Sequence, residues 1–127
     1  MNYPSDLKYT REHEWVKDNG DGTATVGITE FAQGELGDIV FVELPKVGER
    51  TEQSKPCGSI EAVKAVSDLF APVTGEVIEL NSELVSNPQT VNKDPYGNGW
   101  MLRIKLENPE ELEQLLTSDE YEKLISE

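Results

Sequence analysis

The chain is poor in the side chains that most metalloproteins and nucleophilic enzymes depend on. Its 127 residues include one cysteine, Cys57, and one histidine, His13. Zinc and iron–sulfur sites need several converging Cys, His or carboxylate ligands, so no metal site is expected. A single cysteine excludes an internal disulfide and fits a reducing compartment, so a cytoplasmic location is expected. No apolar run approaches the roughly 20 residues needed to span a bilayer. Residues 1–9 lack the basic-then-apolar pattern of a secretory leader. Basic residues are scarce, 11 against 25 acidic ones, for a formal net charge of −14. Phosphate backbones and anionic headgroups repel such a surface, which argues against nucleic acid or membrane as a partner. Basic patches on other proteins would attract it. Half of the excess lies in residues 107–127, where eight acids and Lys123 give −7.

Nucleotide and nucleophile motifs are also missing. The run from Gly58 to Ala65 places a lysine six positions after a glycine, but lacks the second glycine and the Ser/Thr of a phosphate loop. Gly20-Asp21-Gly22-Thr23 opens a strand pattern, not the helix of a dinucleotide fingerprint. Cys57 lies in an apolar-flanked stretch and reads as a small core residue. His13, between Glu12 and Glu14, reads as a surface or edge hydrogen-bonder that the two acids would hold protonated if exposed.

What is present is β pattern. Thr23 to Ile28 alternates, with Ala24, Val26 and Ile28 on one face, and Glu14 to Lys17 offers a partner across Asn19-Gly20-Asp21-Gly22, a doubled hairpin-turn signal. Ile39 to Leu44 is apolar on nearly both faces, which predicts a central strand. In Trp100 to Leu106 the even positions face in, and Arg103 and Lys105 face out. Gly48-Glu49 and Gly75-Glu76 each open a strand-like stretch, a weak hint of related halves. Helices are short. Thr29 caps one through Leu36, ended by Gly37, and Asn81 to Ser86 predicts another. In the tail, Asn108 as cap, Pro109 and Glu111 predict a capping box. Ser118 restarts a helix with Asp119 and Glu120 in its first turn. The apolar stripes Leu112/Leu115/Leu116 and Tyr121/Leu124/Ile125 predict a helical pair packed on the body. The 127 residues are expected to form one domain, with 107–127 as its helical extension.

Lys64 stands out, in Gly58-Ser59-Ile60-Glu61-Ala62-Val63-Lys64-Ala65-Val66-Ser67-Asp68. It separates two extended segments. An exposed lysine amine, with a pKa of roughly 10.4, is a poor nucleophile at neutral pH, and Glu61 and Asp68 are the wrong neighbours for activating it. The position suits a lysine offered to another enzyme for modification.

Several ordered segments resemble the H-protein family of the glycine cleavage system. They are Tyr9 with His13-Glu14-Trp15-Val16; Val26-Gly27-Ile28-Thr29 with Ala32-Gln33; and Leu36 through Pro45. After these come Glu61-Ala62-Val63-Lys64-Ala65 with Ser67-Asp68; Ala71 through Val77; and Asn92, Asp94-Pro95-Tyr96-Gly97 and Gly99-Trp100. The resemblance implies a mainly β fold, a sandwiched β-barrel of the biotinyl/lipoyl-carrier type. Lys64 would lie at a hairpin tip, carrying lipoate in amide linkage. It implies a carrier rather than an enzyme. Such a carrier accepts an aminomethyl group from the decarboxylating glycine dehydrogenase (P protein) and presents it to the aminomethyltransferase (T protein). It is reoxidised by dihydrolipoamide dehydrogenase (L protein). A lipoate ligase or a lipoyl/octanoyl transferase would attach the group, and a monomer is expected. By the same resemblance Glu14 and Asp68 would line a cleft for the loaded arm.

Local chemistry does not predict a tight turn at Val63-Lys64, since neither is a usual turn former and a β-branched valine tolerates positive φ poorly. Three neighbouring readings fit less well or overlap. A biotin carrier would place methionines where Val63 and Ala65 stand. The lipoyl domain of a 2-oxoacid dehydrogenase would place an acid before the lysine and a long linker after the domain. A relay that passes lipoate to other complexes overlaps with the leading reading.

Overall fold

The computed structural model describes residues 3–126. Two antiparallel sheets carry the fold. The strands are β1 (Lys8–Tyr9), β2 (Glu14–Asp18), β3 (Thr23–Ile28), β4 (Ile39–Glu43), β5 (Arg50–Thr51), β6 (Pro56–Ala62), β7 (Val66–Phe70), β8 (Gly75–Leu80) and β9 (Leu102–Leu106). One sheet runs β1-β2-β3-β9-β8-β5 and the other β4-β6-β7. The β2–β3 hairpin turns through Asn19–Gly22, where Gly20 and Gly22 take φ of 82° and 88°. These are left-handed values that cost glycine little. The stretches after Gly48 and after Gly75 pair with each other, Arg50 opposite Glu76 and Thr51 opposite Gly75.

The sheets close on one core that includes Val16, Val26, Ile39, Ile60, Leu69, Val77, Leu102 and Ile104. The alternation in β9 holds, with Leu102 and Ile104 fully buried. Trp100 packs instead against a second cluster of Leu7, Tyr9, Trp15 and Tyr121, and the Arg103 guanidinium stacks 4.3 Å over its ring.

The 39–44 stretch departs from expectation. Among the described residues β4 is an edge strand whose one neighbour is β6. A bulge between Ile39 and Phe41 turns both Val40 and Phe41 outward, 45% and 52% exposed. Continuous apolarity therefore marks an exposed apolar surface beside β6, not a doubly covered strand.

The helices are short. α1 (Glu30–Leu36) is capped as predicted: Thr29 Oγ1 accepts from the Ala32 amide, and Gly37 ends it at φ 81°. α2 (Glu83–Ser86) and α3 (Thr90–Lys93) follow β8. Pro109–Gln114 is a 3-10 helix, and Asn108 makes no side-chain cap. Glu111 turns inward, accepting hydrogen bonds from the Thr74 amide (2.7 Å) and hydroxyl (2.9 Å). A buried acid with two good donors outcompetes a solvent-exposed cap. The capping box falls instead at α4 (Ser118–Ile125), between Thr117 and Glu120. Tyr121 is fully buried, and Leu124 and Ile125 pack beside it, as their stripe predicts.

Candidate functional site

β6 and β7 pair from Pro56↔Phe70 to Glu61↔Val66. Their turn consists of Val63, Lys64 and Ala65, all exposed. The Ala62 amide donates to the Ala65 carbonyl at 2.7 Å. Among the described residues, the only non-glycines with positive φ are His13 and Ser54. The turn thus uses ordinary backbone, and Val63 carries none of the strain that a two-residue mirror-image turn would impose.

The tip is braced from below. The Val63 amide donates to Asp38 O at 3.0 Å. Asn92 locks that same corner: its Oδ1 accepts from the Ile39 amide (2.9 Å), and its Nδ2 donates to Gly37 O (2.8 Å) and Gln33 Oε1 (2.9 Å). α3, α1 and the start of β4 are thereby tied to the hairpin. A Cβ on Gly37 would lie 3.2 Å from Lys64 Cε. Glycine there serves twice, taking the left-handed φ and letting the lysine stem cross the corner.

Glu14 occupies different surroundings. It is 2% exposed, at the start of β2. Its Oε1 accepts from the Thr10 hydroxyl at 2.6 Å and its Oε2 from the Phe70 amide at 3.3 Å. Burial pushes its carboxyl up to about 8, against the opposing pull of those two hydrogen bonds and with a smaller push from Glu12. It lines a cleft of about 270 Å³ together with Thr10, Arg11, Glu12, Phe70 and Leu115, among others. The two left-handed non-glycines flank this cleft: Ser54 (φ 70°) lines it, and His13 (φ 72°) precedes Glu14.

Asp68 is exposed and is not among the residues lining the cleft. It shares the outward face of β7 with Val66 and Phe70, so this row leads from the hairpin tip to the cleft wall. His13 is half-buried; its Nδ1 lies 2.8 Å from the Tyr121 hydroxyl, which is also 2.8 Å from Thr29 Oγ1. Its acidic neighbours Glu12 and Glu35 favour the protonated form, but desolvation outweighs them and lowers its pKa. Cys57 is partly buried against the main core, and burial pushes its thiol up to about 12. It is an inert core residue at neutral pH.

Residues 7–127 match the model of the glycine cleavage H-protein family. The glycine cleavage system H protein of Staphylococcus carnosus is 54% identical over 127 residues, the whole of both chains. That of Carboxydothermus hydrogenoformans is 53% identical over 124 residues, 98% of this chain and 95% of the relative. The chain belongs to the glycine cleavage H-protein family. The crystal structure of the H protein from Mycobacterium marinum superposes with a TM-score of 0.90 at 40% identity, over 98% of this chain and all of that one. The two-sheet architecture is thus the barrel-sandwich fold of an H protein.

The site of this family member fits a lipoyl group held as an amide. Lys64 is accessible, its stem has a glycine to pass over, and a cleft with one buried carboxyl lies at the far end of β7. Several contributors were not legible as such in the sequence. Asn92 stands among the segments that carry the resemblance, yet no local pattern says that its side chain buckles the corner under Lys64. Thr10 and Leu115 reach the cleft through folding alone. The one usable signal for Glu14 was its place in a strand followed directly by Trp15 and Val16, both buried. That row leaves little room for an exposed acid.

Proposed function

We propose that this H-protein family member carries lipoate in amide linkage on Lys64 and shuttles the aminomethyl group of glycine. Residues 1–127 act as one carrier domain with 107–127 as its extension, working as a monomer in the cytoplasm. The lipoyl group supplies a dithiol that takes the aminomethyl group from the P protein, yields it to the T protein and is reoxidised by the L protein. A lipoate ligase or lipoyl/octanoyl transferase installs it. The chain's own residues present, guide and shelter; none performs the chemistry. The observation that carries the reading is the braced, exposed turn at Lys64. An enzyme that must find one lysine among several reads shape, and a turn pinned to Asp38 has one.

Glu14 and Asp68 serve the loaded arm. Its amine is a cation beside a labile C–S bond. The exposed Asp68 meets that cation on the way along β7, and Glu14 receives it in the cleft. A buried carboxyl that is largely protonated at neutral pH when alone ionises when a cation arrives, giving a charge-assisted hydrogen bond where water is scarce.

The test is glycine decarboxylation reconstituted with the three partner enzymes. Lys64→Arg is expected to fold like the parent and to support no turnover. Undiminished turnover in that variant contradicts the reading.

A further inference from the structure

The cleft has a wall that neither the hairpin nor the β2 loop supplies. Gln114, Leu115 and Leu116 of the tail line it. This segment is fixed at both ends. Upstream, Glu111 is bonded twice to Thr74. Downstream, Leu116 and Tyr9 exchange backbone hydrogen bonds of 2.8 Å in both directions, and Thr117 caps α4. The cleft thus lies on a seam between the two hydrophobic clusters: Leu115 packs against the main core, and Leu116 against the cluster of Tyr9, Trp15 and Tyr121.

We infer that the C-terminal tail is a working part of the arm's binding site, with Leu115 the apolar wall against which the loaded arm of the same molecule lies. The inference rests on the carrier reading. The division of chemistry within the cleft points to it. Glu12 and Glu14 are the carboxylates of the lining, and they suit the cationic end of the arm. Phe70 on β7 and Leu115 on the tail supply apolar surface for the sulfur-bearing hydrocarbon. Phe70 lies at the end of the β7 row that begins at Val66, about 13 Å away along the strand. A lysine lengthened by a fatty-acyl chain has the reach to follow that row. The apolar wall excludes the water that would hydrolyse the C–S bond, a step that returns the thiol and releases formaldehyde and ammonium. The acidic helices of the tail hold that wall in place from outside.

The experiment uses the full-length lipoylated protein, loaded with the aminomethyl group and freed of partner enzymes. Two readings are taken: the first-order rate of formaldehyde release, and the chemical shifts of the Leu115 methyls before and after loading. Loading is expected to move the Leu115 methyl signals. Leu115→Ala is expected to shorten the lifetime of the loaded state roughly tenfold, equivalent to about 1.4 kcal/mol of docking. Gln114 is exposed, so Gln114→Trp leaves the core intact while filling the mouth of the cleft. It is expected to shorten the lifetime by a comparable factor, which guards against a misfolded Leu115 variant. Attachment of lipoate at Lys64 is expected at the parental rate in both. Parental lifetimes in both variants, or unmoved Leu115 signals, overturn the inference and leave the carrier reading standing. Failure to find lipoate on Lys64 in the parent protein overturns the carrier reading itself.

Discussion

The hairpin tip and the Glu14 cleft sit at opposite ends of β7 and are built on opposite principles. At the tip every side chain is exposed, and order comes from backbone hydrogen bonds and from Asn92 beneath. In the cleft the key carboxyl is buried, and order comes from packing and from donors aimed at it. On the proposed carrier reading, attachment requires that another enzyme's active site close over the lysine, so burial there would defeat the protein. Sheltering a hydrolysable adduct requires the reverse. One strand, with Val66, Asp68 and Phe70 on its outer face, joins the two without compromising either. Strain is distributed accordingly: the tip contains no left-handed non-glycine, whereas His13 and Ser54 flank the cleft. A few kcal/mol of backbone strain is tolerated where the surrounding fold over-determines the geometry.

The comparison breaks most visibly if the lysine is displaced. In the double variant Lys64→Ala, Ala65→Lys the amine leaves the place braced by Asp38 and Gly37. Lipoylation in vitro is expected to fall to background with the melting temperature unchanged. Parental rates of attachment would mean that the ligase reads sequence composition and not shape.

Next in size is the pH dependence of stability contributed by Glu14. Its folded-state pKa, about 8, lies above the ordinary 4.5, so the native state holds a proton that the unfolded chain releases between these values. Stability from this group is complete below the unfolded value and is lost as pH rises through the folded one, amounting to a loss on the order of 5 kcal/mol. In urea titrations the parent is expected to lose stability between pH 5 and 9, and Glu14→Gln is expected to flatten that fall. The same variant is expected to shorten the lifetime of the loaded arm, which separates the cleft's role from mere stability.

Asn92→Ala sharpens the tip side. It leaves the Ile39 amide and the Gly37 carbonyl without their partner, at a cost of about 1–3 kcal/mol. The rate of lipoylation is expected to drop while the affinity of the cleft for the loaded arm is kept. A variant with lowered melting temperature but parental lipoylation would detach Asn92 from the presentation of Lys64. Smallest of all is Tyr121→Phe, which removes the hydroxyl shared by His13 and Thr29. About 1 kcal/mol of stability is expected to go, read in thermal melts, with the lipoylation rate unchanged.

Much of this was legible in the chain because it is local. The alternation at Thr23–Ile28 and Leu102–Leu106, the Thr29 cap and the Gly37 stop each report on their own few residues, and each stands in the structure. The expectations that failed each depended on a neighbour. The apolar run at 39–44 could not say that, among the described residues, one side of β4 lacks a partner strand. Glu111 has the spacing of a capping box, but Thr74, 37 positions away, offers better donors. Valine beside the lysine looked wrong for a turn because the turn was assumed to need positive φ; the hairpin avoids that by leaving three residues between its strands. The cleft was the least legible part, being assembled from loop, strand and tail. Glu14 and Asp68 came from resemblance, and of the two only Glu14 lies in the wall.

The central claim is that the Lys64 amine, on its braced turn, is the one point of attachment. The most direct measurement is peptide mapping by mass spectrometry of protein made in a lipoate-competent host. The predicted result is the mass of one lipoyl amide on the peptide containing Lys64, absent from a Lys64→Ala variant. A lipoyl group on any other lysine, or an unmodified Lys64 after complete incubation with ligase and lipoate, would contradict the account.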